Sequence, residues 1–352
     1  MTVNIIQEDI KTIADTLGDR TRAFSGKTVL LSGGAGFLGS YFRGVFDYLN
    51  KNVLDTPVTV ISLDNYITGS EESFIGEVDP QYIRSQRHDI REPFSTNEPV
   101  DYIIHAAGIA SPVYYKKYPI ETIESAIYGA KHLLELARKK NVISFLFFSS
   151  SEIYGDPSPG AIPTPETYKG HVSSIGPRSC YDESKRLTET LCVTYHTIYN
   201  TPIKIVRPFN VYGPGMKTND HRVMPTFIAR GLQGQNLPVH GHGNQTRTFC
   251  YITDAIDGFL RVLLSDRNGE VYNIGIGDEE INMATLAQTV AEALDNGIKV
   301  EMIEYPDTYP ADEPNRRCPD ITKARTHLGY EPRVDLKTGL SRSIRWFKET
   351  NF

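Results

Sequence analysis

A chain of 352 residues has room for two domains of about 150 residues, or for one large α/β unit with an appended lobe. With 39% hydrophobic residues and 28 glycines the composition is that of an ordinary globular protein and excludes a disordered or fibrous one. Lys+Arg 37 against Asp+Glu 43 leaves a net charge of -6, so no general attraction to nucleic acid or to an anionic membrane is expected, and an anionic ligand must be held by local basic groups.

The segment Met1 to Arg22 carries charges throughout and lacks the apolar centre of a signal peptide, and no later stretch has the length of a membrane span; a cytoplasmic protein is expected. Ile5, Ile6, Ile10, Ile13 and Leu17 fall near helical spacing and predict an amphipathic helix in an extension over residues 1–26. Lys27 to Ser32 then reads as a buried strand, a glycine-rich turn follows, and Phe37 to Lys51 reads as a helix. Strands are expected at Val58–Leu63, Asp101–Ala106, Val142–Ser149 and Ile203–Arg207, with long helices at Ile120–Lys140 and Tyr181–Tyr199. Continuous apolar strands alternating with helices imply a doubly wound parallel sheet covered on both faces, an α/β domain over 27–208. After Pro208, glycine and proline become frequent between short elements, which predicts a smaller, mainly C-terminal α/β lobe over 209–352. A helix at Thr253–Leu264 and a strand at Val271–Ile274 are expected to return to the first domain, near 253–276.

Ser32-Gly33-Gly34-Ala35-Gly36-Phe37-Leu38-Gly39 follows a strand and opens a helix, with glycines at 33, 36 and 39. Glycine permits the tight turn and lets a pyrophosphate approach backbone N–H groups at the positive end of the helix, so the turn predicts a dinucleotide site of Rossmann type. Asp64 ends the second strand, 25 residues after Gly39, somewhat past the approximately 20 usual for the acid that binds the adenosine ribose. An acid there favours the free ribose hydroxyls of NAD over NADP; the alternative is a strand-end cap. Asp89 and Ile90 are placed to receive the adenine, and the small Ala106 and Ala107 leave room for the cofactor to cross. His105 reads as a packed core histidine. His240-Gly-His242 and the scattered Cys180, Cys192, Cys250 and Cys318 offer neither metal-type spacing nor a disulfide pattern, so no metal is expected.

Tyr181 and Lys185 lie four residues apart, on one face of the predicted helix. A neighbouring ammonium stabilises phenolate, so the tyrosine pKa is expected to fall toward neutrality and Tyr181 to act as the base on an alcohol being oxidised.

With GGAGFLG, Leu63-Asp-Asn65, His88-Asp-Ile90, the serines before Glu152, Tyr-x-x-x-Lys and Arg207-Pro-Phe-Asn-Val-Tyr-Gly-Pro214, the chain resembles the extended short-chain dehydrogenases/reductases of the nucleotide-sugar epimerase/dehydratase group over about residues 27–348. Within that group it is most similar to the UDP-glucuronate decarboxylases, or UDP-xylose synthases. The similarity is carried by Ser151-Glu-Ile-Tyr-Gly-Asp156, Gly170-His-Val172, Ile175-Gly-Pro-Arg-Ser-Cys-Tyr-Asp-Glu183, Gln245-Thr-Arg-Thr-Phe249 and Arg317-Cys-Pro-Asp-Ile321. The resemblance implies Ser150, Tyr181 and Lys185 as the hydride-transfer triad, with Glu152 and Arg317 added for decarboxylation. It implies NAD on Gly33, Gly36, Phe37, Leu38, Gly39, Asp64, Asn65, Asp89, Ile90, Ala106, Ala107, Tyr181 and Lys185. The UDP-sugar would be held by Ser111, Asn210, Arg222 and Arg247, together with Glu152 and Arg317. A homodimer through a four-helix interface formed by the two long helices is implied as well. The implied reaction oxidises C4 of UDP-glucuronate, lets the resulting β-keto acid lose carbon dioxide, and reduces C4 again to leave UDP-xylose.

Other members stay open as alternatives. Glucose-type 4,6-dehydratases carry Asp-Glu where this chain has Ser151-Glu152, although mannose-type dehydratases share Ser-Glu, and simple 4-epimerases usually have a small residue in place of Glu152. A catalytically inert nucleotide-binding protein is disfavoured by the intact Ser150, Glu152, Tyr181, Lys185 and Arg317. The chain departs from the decarboxylase pattern at Ser32, where threonine is usual, at Ala126 for an asparagine, at Gly215 for an arginine, and at Lys169 for an aromatic residue.

Overall fold

Thr28–Ser32 reads TVLLS and buries every residue, as does Ser144–Phe148, SFLFF; strands this apolar need cover on both faces and cannot sit at a solvated surface. The computed structural model describes residues 5–220, 222–305 and 314–350; Met1–Asn4 of the expected extension and residues 351–352 of the expected second lobe lie outside the described residues. After helix α1 (Ile5–Leu17) come β1 (Thr28–Ser32), α2 (Phe37–Asn52), β2 (Thr59–Asp64), β3 (Ile83–Arg87) and β4 (Tyr102–His105). Helices α3 (Pro112–Lys117) and α4 (Pro119–Lys140) lead to β5 (Ser144–Phe148), α5 (Ser179–Tyr199) and β6 (Ile203–Pro208). The remainder comprises β7 (Val211–Tyr212), α6 (Val223–Leu232), β8 (Leu237–His240), β9 (Thr246–Arg247), β10 (Cys250–Tyr251), α7 (Ile252–Leu264), β11 (Glu270–Ile274), β12 (Ile281–Asn282), α8 (Met283–Leu294), β13 (Val300–Ile303), β14 (Arg316–Arg317), α9 (Thr322–Leu328) and α10 (Leu336–Thr350).

One parallel sheet runs in the order β11-β6-β5-β4-β1-β2-β3. The strand order reverses between β1 and β4, and a crevice opens beyond their carboxyl ends, which is where open α/β sheets bind ligands. Both Gly33, after β1, and Ala106, after β4, border that crevice. Strand β11 brings the chain back to the sheet beside β6, and α7 packs under β5 and β6.

Helix α1 buries Ile6, Ile10, Ile13 and Leu17 in the main core, against α2 and α7. Its Asp9 is buried too, where it accepts hydrogen bonds from Tyr251 Oη at 2.8 Å and Arg342 Nη2 at 2.7 Å, tying the extension to β10 and α10. Burial raises the Asp9 carboxyl to about 6 despite the adjacent guanidinium.

Beyond the sheet, β12, β9 and β14 form a small three-stranded unit, and β8 pairs with β13. Together with α6 and α8 these pieces face the crevice from the other side. Gly215 leaves space that the ring of Phe74 occupies; a Cβ at 215 would meet the ring, which packs in turn on Trp346 and Tyr41.

Among the described residues no helix is long and apolar enough to cross a membrane.

Candidate active site

At the end of β1 the backbone turns at Gly33 with φ of 80°, a left-handed conformation that side chains other than glycine disfavour. A Cβ there would lie 2.7 Å from Ala107 N, so the turn is in backbone contact with the end of β4. Gly39, in the first turn of α2, is closer still: its Cβ would stand 2.0 Å from Gly33 O. The cradle is therefore shaped for a ligand that needs backbone approach at a helix N-terminus, and NAD fits it. Asp64 borders the same space; its Oδ2 accepts Ala35 N–H at 2.9 Å and its Oδ1 accepts Tyr66 N–H at 2.8 Å, so it also caps the turn. Asp89 is engaged by Arg91, whose Nη2 lies 2.8 Å from Oδ2, and by Asn65 Nδ2 at 3.3 Å; these bonds hold its carboxyl down at about 2. Ile90, Asn65, Ala106 and Ala107 line this end of the crevice. His105 is fully buried, hydrogen-bonded through Nδ1 to Ser32 Oγ at 2.8 Å, and burial pushes it down to about 3. The Ser32 hydroxyl is thus the partner of the core histidine.

The wider part of the crevice is a cavity of about 1180 Å³. Ser111, Ser150, Glu152, Tyr181, Lys185, Asn210, Arg222, Arg247 and Arg317 all line it, so the structure brings together residues that the sequence scatters over two hundred positions.

Helix α5 supplies Tyr181 and Lys185. The Tyr181 ring stacks on Tyr115 from α3, with centroids 5.5 Å apart and planes 13° from parallel, which fixes its direction. Lys185 Nζ lies 5.8 Å from the Tyr181 ring centre and donates to Phe148 O at 2.7 Å. Burial lowers this ammonium to about 8, so it is still a cation at neutral pH. The expected fall of the tyrosine pKa is not found: burial raises Tyr181 to about 12, and the Ser150 hydrogen bond offsets only part of that. Loss of water around the phenol, with the Glu152 and Asp182 charges, outweighs the Ser150 hydrogen bond and the Arg222 cation, and a base at neutral pH therefore needs further positive charge in the site.

Ser150 caps the short 3-10 turn Ser151–Tyr154, accepting Glu152 N–H at 3.2 Å. The turn is pinned by Tyr154, whose hydroxyl receives Arg207 Nη1 at 2.6 Å and donates to Asn273 Oδ1 at 2.7 Å. Glu152 consequently faces the crevice from a fixed backbone. Strand β14 delivers Arg317, which grips Glu152 with Nη1 to Oε1 and Nη2 to Oε2, each at 2.7 Å. Arg178, just before α5, bonds the same Oε2. Asp182 sits 3.5 Å from Arg178 Nε, and burial with the nearby Glu152 charge raises its carboxyl to about 7.

The other expected cations are differently disposed. Arg222 pairs with Asp220 at 2.7 Å on the crevice wall. Arg247 directs Nη2 to Pro314 O at 2.7 Å and Nη1 to Thr246 O at 2.8 Å; it braces the approach to β14. Asn210 donates to Thr248 O, and Ser111 to Asp220 O. Sequence reasoning gave no role to Arg178, Asp182 or Tyr115. The i,i+4 spacing of Arg178 and Asp182 around Tyr181 was the available signal for the first two. Among the described residues no group of His, Cys, Asp and Glu could hold a metal, and all four cysteines are free thiols.

Comparison with known proteins agrees with this geometry. Residues 29–275 match the model of the NAD dependent epimerase/dehydratase family. UDP-glucuronic acid decarboxylase 5 of Arabidopsis thaliana is 42% identical over 316 residues, 90% of this chain and 88% of that protein. Among solved structures, UDP-glucose 4-epimerase from Thermotoga maritima with UDP-glucose superposes with a TM-score of 0.79 at 27% identity, covering 92% of this chain and 100% of that one. A dTDP-glucose 4,6-dehydratase from Streptomyces venezuelae, solved with NAD bound, gives 0.77 at 27% identity, over 92% and 98%. A glycine cradle at the switch point of a parallel sheet, facing a tyrosine–lysine helix, is accordingly inherited: the chain belongs to the NAD dependent epimerase/dehydratase family.

Proposed function

We propose that this chain is an NAD-dependent decarboxylase of a UDP-uronate, converting UDP-glucuronate to UDP-xylose. The observation that carries the reading is the pairing of Glu152 with Arg317 beside Ser150, Tyr181 and Lys185: hydride chemistry at C4 needs only the last three, whereas a carboxylate-handling cation adjoining them suits loss of C6. The decarboxylases among its relatives support the same substrate.

When bound, NAD supplies a reversible hydride acceptor and, in its oxidised form, the positive charge that the Tyr181 phenol otherwise lacks. Its pyrophosphate would rest on the Gly33–Gly39 turn, its adenosine ribose at Asp64, its adenine near Asp89 and Ile90, and its nicotinamide ribose against Tyr181 and Lys185. Tyr181 takes the proton of the C4 hydroxyl as that carbon is oxidised, and Ser150 donates a hydrogen bond to the same oxygen. The 4-ketone makes the C6 carboxylate that of a β-keto acid. On loss of carbon dioxide the C5–C6 electron pair moves to the C4 oxygen as an enolate, which Ser150 and Tyr181 are placed to stabilise. A proton adds at C5, and Tyr181 gives back the hydroxyl proton as C4 is reduced again, a redox balance that bound NAD would supply; one proton is consumed overall. Arg317 orients the carboxylate, and Glu152 holds the sugar or a water near C5; Asn210, Arg222 and Arg247 build the wall on which the diphosphate lies.

Mass spectrometry of products from UDP-glucuronate, UDP-galacturonate, UDP-N-acetylglucosaminuronate and dTDP-glucose tests this. Carbon dioxide release from UDP-glucuronate without net NADH is the expected result. Loss of water from dTDP-glucose with no decarboxylation of any uronate would replace the reading by dehydration, and a product of unchanged mass by epimerisation.

We also infer a homodimer through α4 and α5. The two helices pack on each other and leave Ile120, Tyr128, Leu187 and Ile198 exposed, 60%, 51%, 52% and 63% respectively, an apolar surface that a second copy would cover. Light scattering is expected to give twice the 39.5 kDa chain mass, with Leu187→Glu shifting the protein toward monomer; a monomeric wild type sinks the inference.

A further inference from the structure

The Glu152 carboxylate is held from two directions by groups of different origin. Arg317 reaches it from β14 in the small three-stranded unit, outside the main sheet. Arg178 reaches it from the N-terminal end of α5, the helix that carries Tyr181 and Lys185, and is anchored there by Asp182 one turn on. Both guanidinium groups are buried, at 5% and 6% exposure. These four side chains therefore set two cations against two carboxylates.

A uronate brings a third carboxylate to this place. Arg317 is the group suited to receive it, because its Nε is buried without a hydrogen-bond partner and its other nitrogens are spent only on Glu152. When Arg317 turns to the substrate, Glu152 would be left as a buried charge with weakened compensation, the costly case for an ion pair that loses one partner. Arg178 can prevent that, since it bonds Oε2 from α5 and its Nε stays with Asp182.

We propose that Arg178 is a positioning residue for decarboxylation: it holds Glu152 on the α5 scaffold while Arg317 engages the sugar carboxylate, with Asp182 as its anchor. This rests on the decarboxylase reading. Asp182 completes the balance of charge. Its Oδ1 is buried and without a hydrogen-bond partner, and Arg178, Arg317 and Glu152 are the charged groups around it. A carboxyl so placed accommodates a third anion by taking up a proton.

The test uses the full chain carrying NAD, with UDP-glucuronate as substrate and UDP-xylose plus carbon dioxide as readout. Arg178→Gln is expected to lower kcat by about 10²-fold, the scale of a misplaced catalytic group, with KM changed by no more than about threefold. Arg178→Lys keeps a cation but cannot bridge Glu152 and Asp182 together, and is expected to recover part of the lost kcat. Arg317→Gln should instead raise KM, because it removes the partner of the substrate carboxylate. Should Arg178→Gln fail to fold, Arg178→Lys decides. Wild-type kcat in either variant, once folded and loaded with NAD, or a loss confined to KM, overturns the proposal. Wild-type enzyme that releases no carbon dioxide from any UDP-uronate overturns the decarboxylase reading and this proposal with it; a decarboxylating wild type beside unaltered Arg178 variants overturns this proposal alone.

Discussion

Tyr181→Phe is expected to slow turnover by roughly 10²–10⁴-fold, the range for removal of a general acid/base, while leaving fold and NAD content near those of the wild type. The ring is retained by its stack on Tyr115, and the hydroxyl is what Ser150 meets, so the substitution deletes chemistry without deleting packing. On the proposed mechanism the phenol acts on the C4 proton only in the transition state, so the size of the loss should depend little on substrate concentration. Steady-state rates with UDP-glucuronate across a range of concentrations measure it, and NAD released on denaturation serves as the control. Near-normal kcat in a folded, NAD-loaded variant would remove Tyr181 from the mechanism. A phenol raised to about 12 by the protein's own groups also predicts that Tyr181 is protonated in protein stripped of NAD. Spectroscopic titration of the NAD-free protein should accordingly find no phenolate from Tyr181 near neutral pH.

The parts of the fold legible in the sequence are those set by local rules. An apolar run ending in glycines and opening a helix has few solutions, and β1, the Gly33–Gly39 turn and α2 stand where that pattern puts them. Helices α4 and α5 finish at Lys140 and Tyr199, where the sequence ends them, each followed by a left-handed asparagine cap, Asn141 and Asn200. What the sequence leaves hidden depends on distance and burial. Nothing local says that Arg317 and Glu152, 165 positions apart, meet at 2.7 Å, and family resemblance alone linked them. Nor does a Tyr-x-x-x-Lys spacing reveal how dry the phenol becomes, or that the Glu152 and Asp182 charges add to the rise. Arg247 illustrates the same limit: its charge is legible, its carbonyl partners in the Pro314–Asn315 segment are not. The docking of α1 was legible as an apolar stripe, whereas the buried Asp9–Arg342 contact that fastens it to the far end of the chain was not.

Gly39→Ala is expected to strip the protein of NAD. The added methyl would lie 2.0 Å from Gly33 O and 2.7 Å from Gly34 Cα, and both obstacles are backbone, so no flexible side chain can yield. Either α2 backs away from the turn or the turn itself moves; the second route is closed by Gly33, which already abuts Ala107 at the end of β4. Moving α2 takes its N-terminal N–H groups out of register with the pyrophosphate they would bind. Each charge-assisted hydrogen bond so lost is worth about 1.5–3 kcal/mol, or about 10- to 100-fold in affinity. The same displacement overpacks the helix–sheet contact at a cost of roughly 1–3 kcal/mol in stability. The expected outcome is a folded protein with a lowered Tm, little bound NAD and almost no turnover until excess NAD is added. Gly160→Ala is the control, since a Cβ there meets nothing within 4 Å and the backbone is not left-handed. NAD content equal to wild type in Gly39→Ala would mean that the cofactor does not rest on this turn, and the assignment of the whole crevice would fall with it.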